Sequence, residues 1–212
     1  PAIRFYAGCP LKAPNGQKMG TLCIIDTKPR GFTEADVESL KDLAAIVEAE
    51  LMAVQLATSD QLTSISNRRG FIGLAQNSLN ICARQKIPAS LVFMDLDKFK
   101  ILNDNFGHLA GDRALTLFAG QMEKTYRSSD ILGRLGGDEF AVLLVNTDKE
   151  DAESFVSRFQ DELKKQNQDA GSGYEIPFSY GVVEFDPDKG STVETLLAEA
   201  DALMYELKRS RK

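Results

Sequence analysis

Two acidic segments constrain the fold of this chain more than any other feature. The first is an apolar run that ends in Asp95-Leu96-Asp97, which is typical of a buried strand with an acidic C-terminal end. The second is a pair of apolar runs joined by the segment 136–139, whose two glycines permit the positive φ angles of a tight hairpin turn. If the hairpin pairs beside the first strand, Asp95, Asp138 and Glu139 converge at one edge of a sheet.

Such a cluster of carboxylates predicts a metal site. Clustered carboxylates repel one another and resist ionisation unless a cation neutralises them. Hard oxygen ligands favour Mg²⁺, which keeps coordination positions for substrate phosphates. The pattern therefore predicts metal-assisted phosphoryl transfer. Strand alternation aims Asp138 and Glu139 at opposite faces, so both serve one site only if the turn distorts the strand.

Four spaced sequence blocks run in order through residues 60–212. The central block is Gly136-Gly137-Asp138-Glu139-Phe140. The other blocks are Asp60-Gln61-Leu62-Thr63 with Asn67-Arg68-Arg69, then Asp95 to Lys100 and Asn103 to His108 with Gly111-Asp112, and finally Ala200 to Tyr205 with Lys208. Together these blocks resemble the GGDEF domain of diguanylate cyclases, whose five-residue signature is intact here. A lone five-residue match can arise by chance, whereas four blocks in order are specific.

The chain departs from the family pattern at both ends of this region. Ser64 and Ser66 stand where Gly and Pro are usual, which affects the geometry of the opening loop. Arg211 and Lys212 stand where Gly and Arg are usual, which weakens Lys212 as a phosphate ligand.

The resemblance implies that two GTP molecules condense into cyclic di-GMP with release of pyrophosphate. It implies two Mg²⁺ ions per active site, with Mn²⁺ as an alternative, and a homodimer whose domains meet across their sites. A non-catalytic GTP-binding or cyclic di-GMP-binding regulatory module is the main alternative, and the intact carboxylates argue against it. A third interpretation, cyclic mononucleotide synthesis, fits the metals but not the family's guanine-reading pair, Asn103 and Asp112, together with an RxxD motif at Arg127 to Asp130.

The resemblance also implies roles for individual residues. The metal ligands are Asp95, Glu139 and the backbone carbonyl of Leu96, and Asp138 is the candidate base for the ribose 3′-hydroxyl. His108 is expected to be structural. The expected catalytic set is Asp138, Glu139, Arg134 and Lys208. The expected substrate-binding set is Phe99, Lys100, Asn103, Asp112, Gly137 and Lys208. Within it, Asn103 and Asp112 read guanine. The expected phosphate contacts are Lys100, Arg134 and Lys208.

An Arg127-Ser128-Ser129-Asp130 segment lies at the family's inhibitory RxxD offset before Gly136. In that arrangement the guanidinium and the carboxylate grip a guanine of the product. Arg158, on the following helix, is a secondary contact. We therefore expect cyclic di-GMP to act as product and as inhibitor, although a surface ion pair is the ordinary explanation of a four-residue pattern.

Periodicity along residues 60–212 predicts an α+β domain with a βαββαβ core, of the polymerase-palm or ferredoxin-like type. Its sheet is expected to contain antiparallel strands, with flanking helices on one face. One predicted strand ends at Asp95, and three others cover residues 131–135, 140–145 and 177–185. The predicted helices cover about 69–84, 111–126, 149–165 and 193–209, with a short one through Asn103.

The first 59 residues predict two further segments. Residues 1–31 resemble the C-terminal fragment of a GAF sensory domain, with strands at 3–7 and 20–25. Residues 32–59 predict a linker helix with a heptad seam from Val37 to Val54. The seam predicts a dimeric signalling helix, and an amphipathic helix that docks on a neighbouring sheet is the alternative.

Composition limits the classes of partner. The net charge of −6 argues against a general nucleic-acid-binding surface. Cys9, Cys23 and Cys82 are odd in number and stand in apolar contexts, which predicts buried free thiols in a reducing, cytoplasmic compartment. The sequence contains no apolar run of the ~20 residues that span a bilayer, so no membrane contact is expected of this segment.

Overall fold

The computed structural model describes residues 2–14, 16–170 and 174–210 of the chain. It divides into two compact units, Pro1–Ala57 and Thr58–Lys212. The positions 211 and 212, where the sequence departs from the family pattern, lie outside the described residues. The domain boundaries expected at 31/32 and 59/60 remain a prediction.

The first unit contains a hairpin and a long helix. Strands β1 (Phe5–Lys12) and β2 (Lys18–Asp26) pair antiparallel. β1 continues past the predicted end at Ala7 and through Pro10, which is tolerated because both strands of a two-stranded sheet are edge strands. β2 extends beyond the predicted range 20–25 at both ends. Helix α1 (Glu34–Thr58) begins after Thr33, whose hydroxyl accepts from the Asp36 amide at 3.3 Å.

Helix α1 does not present its whole predicted seam to solvent. Leu40 and Ala44 in the middle of the seam are buried. Val37, Leu51 and Val54 are exposed by 39%, 42% and 52%. An apolar seam that is exposed only towards its two ends leaves both the dimeric helix and the docking helix as interpretations.

The second unit is built on a five-stranded sheet, in agreement with the α+β prediction. Its order is β3-β5-β6-β4-β7, with antiparallel pairing among the four long strands and parallel pairing between β3 and β5. The strands are β3 (Ser66–Asn67), β4 (Ala89–Leu96), β5 (Ile131–Gly136), β6 (Glu139–Val145) and β7 (Phe178–Glu184).

Helices cover both faces of this sheet, so the expectation of a single covered face is wrong. Alternate residues of β4 enter two separate cores, with Val92 and Met94 on one face and Leu91 and Phe93 on the other. The first core includes residues of α4 and α5, and the second includes residues of α2 and α6. The helices are α2 (Arg68–Gln85), α3 (Phe99–Phe106), α4 (His108–Thr125), α5 (Lys149–Ala170) and α6 (Val193–Ser210).

The three cysteines are free, and they differ in exposure. Cys82 is buried in the second unit, and burial raises the pKa of its thiol. Cys9 is partly exposed and Cys23 is exposed, so the expectation that all three are buried is wrong. Among the described residues, no helix combines the length and the apolar character needed to cross a membrane.

Candidate active site

Strand register places the two predicted metal-binding carboxylates side by side. Asp95, at the end of β4, lies directly opposite Glu139, the first residue of β6. The amide of Leu96 donates to the carbonyl of Asp138 at 3.1 Å, which ties the hairpin turn to the same end of β4. Phe140, the next residue, is fully buried, and its ring lies 4.7 Å from that of Phe118. This packing anchors the strand from which Glu139 extends.

The turn between β5 and β6 explains how Asp138 and Glu139 can serve one site. Gly136 pairs with Glu139, so Gly137 and Asp138 form a two-residue loop. Gly137 has a φ of 49°, a left-handed conformation that favours glycine. Because Asp138 belongs to the loop and not to a strand, strand alternation does not direct it away from Glu139.

The acidic residues at this end of the sheet influence one another. Burial raises the pKa of Asp138 and of Glu139, and the negative charge of Asp95 raises both further. Lys208 of α6 donates to Asp95 Oδ1 at 2.5 Å, and its Nζ lies 3.0 Å from Asp97 Oδ1. Burial opposes the protonation of Lys208, but these two carboxylates outweigh it and raise its pKa.

The residues present fit a magnesium ion by their chemistry. Among the described residues, no three His, Cys, Asp or Glu side chains form a cluster able to hold a metal. Mg²⁺ needs few protein ligands, since it usually retains water and binds through one or two carboxylates and substrate phosphates. Asp95 and Glu139, held opposite each other by the β4–β6 register, meet that requirement.

The two predicted guanine-reading residues lie on neighbouring helices. Asn103 is on α3, and its Oδ1 is buried without a hydrogen-bond partner. A Cβ on Gly111 would lie 2.0 Å from that oxygen, so any larger residue at this position would displace the Asn103 side chain. Asp112, the next residue, is exposed and borders an open groove of about 660 Å³. The groove also contains apolar side chains, Leu62, Leu109 and Leu117.

The remaining substrate-binding predictions differ in their surroundings. Phe99 is partly buried and packs against the core, whereas Lys100 and Gly137 are exposed. His108 is the exposed first residue of α4.

The guanidinium of Arg134 contacts the hairpin turn and Asp60. Its Nε and Nη2 donate to the carbonyl of Gly137 at 2.9 and 2.7 Å, and its Nη1 lies 3.1 Å from Asp60 Oδ1. Burial raises the pKa of Asp60, but hydrogen bonds from Thr63 and Arg134 outweigh it and lower that pKa overall. The sequence marked Asp60 only as part of a motif, without a partner.

Two more charged residues at the site were missed from sequence. Asp97 accepts from the hydroxyl of Ser179 at 2.9 Å and faces Lys208. The positive charge of Arg68 lowers the pKa of Glu139, against the larger effects of burial and of Asp95. Asp97 and Arg68 both stand in the recognised blocks, but only the tertiary contacts reveal their neighbours.

The two charged residues of the RxxD segment, Asp130 and Arg127, have different surroundings. Asp130 is only 8% exposed, and its two oxygens accept from the amides of Arg127 at 2.9 Å and Val145 at 3.2 Å. Burial raises the pKa of Asp130. The guanidinium groups of Arg127 and Arg158 both lie over the ring of Phe155, at 5.0 and 4.8 Å from its centroid. Asp130 thus supports the backbone, while the two arginines flank one aromatic ring.

Comparisons with known proteins match different families to the N-terminal and the C-terminal parts of the chain. The family profile described as "Diguanylate cyclase, GGDEF domain" matches residues 57–212, and the profile described as "GAF domain" matches residues 1–51. Diguanylate cyclase DgcP of Escherichia coli (strain K12) is 27% identical over 225 residues, which cover 99% of this chain and 66% of that protein. The probable diguanylate cyclase DgcC of the same strain is 33% identical over 155 residues, which cover 73% of this chain and 42% of that protein.

Solved structures share the fold of the second unit. A microbial GGDEF domain, described for its interaction with bis-(3,5)-cyclic di-GMP, has a TM-score of 0.65 and is 30% identical. The similarity covers 74% of this chain and 94% of that domain. The chain itself spans 42–66% of the length of the two relatives named above. Because the GGDEF profile covers well over half of the residues, the chain belongs to the diguanylate cyclase GGDEF domain family.

Proposed function

We propose that this protein condenses two GTP molecules into cyclic di-GMP and releases two pyrophosphates. The observation that carries the proposal is the pairing of Asp95 with Glu139 beside Asp138 at one end of the sheet. The names of the relatives DgcP and DgcC, a diguanylate cyclase and a probable one, support the same reaction.

The carboxylates divide between metal binding and proton transfer. Asp95 and Glu139 would hold Mg²⁺, with the backbone carbonyl of Leu96 as a further ligand. A bound Mg²⁺ would neutralise charge on the phosphate oxygens and orient them for in-line displacement. Asp138 orients the ribose 3′-hydroxyl and accepts its proton, a role suited to a carboxylate whose pKa is raised by burial and by Asp95.

Guanine and phosphates are bound by different parts of the site. The orphaned Asn103 Oδ1 supports recognition of a guanine N–H, because a buried acceptor without a partner is costly. Asp112 accepts a second guanine N–H beside the apolar groove, and Phe99 supports α3 from the core. Lys208 and the exposed Lys100 contact phosphates as point charges. The exposed Gly137 allows close approach to the backbone.

The reaction requires two domains, because each holds one GTP and the 3′-hydroxyl of one attacks the α-phosphate of the other. We therefore propose a homodimer as the active form. The exposed apolar residues Leu51 and Val54 of α1 support association through that helix.

Product inhibition at the RxxD segment forms the regulatory part of the proposal. In this proposal Arg127 and Arg158 contact the guanine of cyclic di-GMP. The position of both guanidinium groups over the one ring of Phe155 supports it, because it brings the two cations together at one place. Asp130 contributes by holding the backbone amide of Arg127 in place.

Turnover with GTP tests the proposed reaction directly. The chain is incubated with GTP and Mg²⁺, and the products are resolved by chromatography beside a parallel reaction with ATP. We expect cyclic di-GMP and pyrophosphate from GTP alone. Binding of GTP without turnover would indicate a non-catalytic regulatory module instead. A cyclic mononucleotide product would indicate cyclic mononucleotide synthesis.

A further inference from the structure

We infer that Asp60 and Arg134 form a positioning pair that holds the catalytic turn through the carbonyl of Gly137. Arg134 then acts on the turn and not on a phosphate. The inference rests on the proposed cyclase reaction for its kinetic test, and it has a structural test that is independent of turnover.

The guanidinium of Arg134 binds the turn along one edge and binds Asp60 through its remaining nitrogen. Its Nε and Nη2 both donate to Gly137 O, at 2.9 and 2.7 Å. Its Nη1 donates to both carboxylate oxygens of Asp60, at 3.1 and 3.3 Å. The side chain of Arg134 is only 14% exposed, and all three nitrogens are engaged. A planar fork with donors on two edges is a geometry that lysine cannot reproduce.

Asp60 is itself held before it meets Arg134. Its Oδ1 accepts from the amide and the hydroxyl of Thr63, at 2.9 and 2.7 Å, and Thr63 is buried. The Asp60 amide donates to Ile65 O at 2.8 Å, and its carbonyl accepts from the Ser64 amide at 2.8 Å. These bonds close the loop and leave the Asp60 carboxylate with one preferred direction.

The loop that carries Asp60 is fastened to the sheet beside Arg134. Strand β3 pairs in parallel with β5, so that Asn67 lies next to Arg134 in register. The Asn67 side chain donates to Ser59 O at 3.1 Å and accepts from the Gly70 amide at 3.0 Å. A Cβ on Gly70 would lie 2.1 Å from Thr58 O, which shows how closely the start of the loop packs on α2.

The turn needs such an external restraint. Gly137 has more backbone freedom than any residue with a side chain, and Asp138 and Glu139 follow it directly. A carbonyl fixed by two N–H groups limits the orientation of the peptide that leads into Asp138. The pair therefore sets the direction of the proposed base and of one proposed metal ligand.

Asp60→Asn is the principal test, because it removes the carboxylate charge and leaves Arg134 and every proposed substrate contact intact. We expect kcat to fall ~10-fold, as for the loss of a charge-assisted hydrogen bond, with little change in the KM for GTP. Asp60→Glu should recover part of the rate. Asp186→Asn is the matched control, because Asp186 follows β7 at the end of that strand remote from Leu96.

Hydrogen exchange of the amides of residues 136–139 supplies the readout that is independent of turnover. We expect faster exchange in Asp60→Asn than in the parent or in Asp186→Asn. If Asp60→Asn fails to fold, Thr63→Val replaces it as the test. Thr63→Val keeps both charges and removes one hydrogen bond to Asp60, so we expect a modest increase in the exchange rate of the same amides. Unchanged exchange, or a rise in KM with kcat unchanged, would overturn the inference. A parent without cyclase activity would reject the proposed function alone, since the exchange result still decides the role of the pair.

Discussion

The ammonium group of Lys208 lies 2.5 Å from Asp95 Oδ1, although the two residues are 113 positions apart in the sequence. Asp95 also faces Glu139 across the β4–β6 pair. One strand end is therefore shared by a proposed metal ligand on a second strand and a proposed phosphate-binding cation on the last helix. Changes to this site should affect chemistry more than folding, because its side chains lie at the edge of the core.

Glu139→Gln should abolish turnover while the fold is retained. The substitution removes one of the two opposed carboxylates, and loss of such an electrostatic contact costs ~10²–10³ in rate. The rate of pyrophosphate release and the Tm of both proteins measure the effect. Glu184→Gln, on an exposed residue at the far end of β7, should keep the parent rate. Near-normal synthesis by Glu139→Gln would remove Glu139 from the metal site.

The Asp60 carboxylate should stabilise the fold in a pH-dependent manner. Its pKa is below the ordinary value of 3.8 because the hydrogen bonds from Thr63 and Arg134 outweigh burial. A carboxyl with a depressed pKa in the folded state stabilises that state above its ordinary pKa, and the contribution is lost as the pH falls through the folded value.

The Tm difference between the parent and Asp60→Asn should therefore be full near neutral pH and shrink under acid conditions. Thermal melts over this pH range measure it, with Asp186→Asn as the control for general charge effects. A difference that stays constant with pH would mean that the loss arises from packing and not from the charge of Asp60.

Asp112→Ala should raise the KM for GTP and reduce the preference for GTP over ATP. The exposed carboxylate beside the apolar groove is the proposed acceptor for guanine N–H groups, and a hydrogen bond to a charged group contributes ~1.5–3 kcal/mol. Initial rates with both nucleotides give the selectivity. Glu123→Gln, on an exposed residue of the same helix, should leave the selectivity unchanged. Unaltered discrimination in Asp112→Ala would exclude it from the base pocket.

Leu51→Lys should shift the protein towards monomer and lower its activity at dilute concentration. Leu51 is 42% exposed on α1, and a charge buried in a helix pair is strongly unfavourable. Sedimentation and specific activity across a concentration series measure the effect. Gln55→Lys adds the same charge to an exposed polar position of the same helix. Activity independent of concentration, with both variants alike, would favour the docking-helix interpretation.

Arg127→Ala should weaken the binding of cyclic di-GMP and relieve product inhibition without loss of synthesis. Its guanidinium lies over Phe155, and its backbone amide, which Asp130 binds, is unaffected by the substitution. Calorimetric titration of cyclic di-GMP and initial rates at saturating GTP measure the two effects. Lys124→Ala, which removes an exposed cation near the end of α4, is the control. Equal product affinity in parent and Arg127→Ala would return Arg127 to an ordinary surface role.

The sequence alone was enough to predict the secondary-structure elements of the second unit and the end of the sheet where acidic residues gather. Apolar runs located the long strands to within a few residues. The glycines at 136 and 137 predicted a turn, and Gly137 has the φ of 49° that glycine adopts readily in such a turn. The acidic end of β4 and the Asp138-Glu139 pair predicted a carboxylate site. These features depend on local pattern and backbone sterics, which are encoded over short stretches of chain.

Tertiary structure decided how those residues meet. The register that sets Asp95 opposite Glu139, the second covered face of the sheet, and the contact of Lys208 with Asp95 arise from pairing between distant segments. The directions of Arg134 towards Gly137 and of Asp130 towards Val145 depend on which polar groups need a partner in the folded interior. A local pattern specifies which donors and acceptors exist, but only the packed fold determines which of them are close enough to bond.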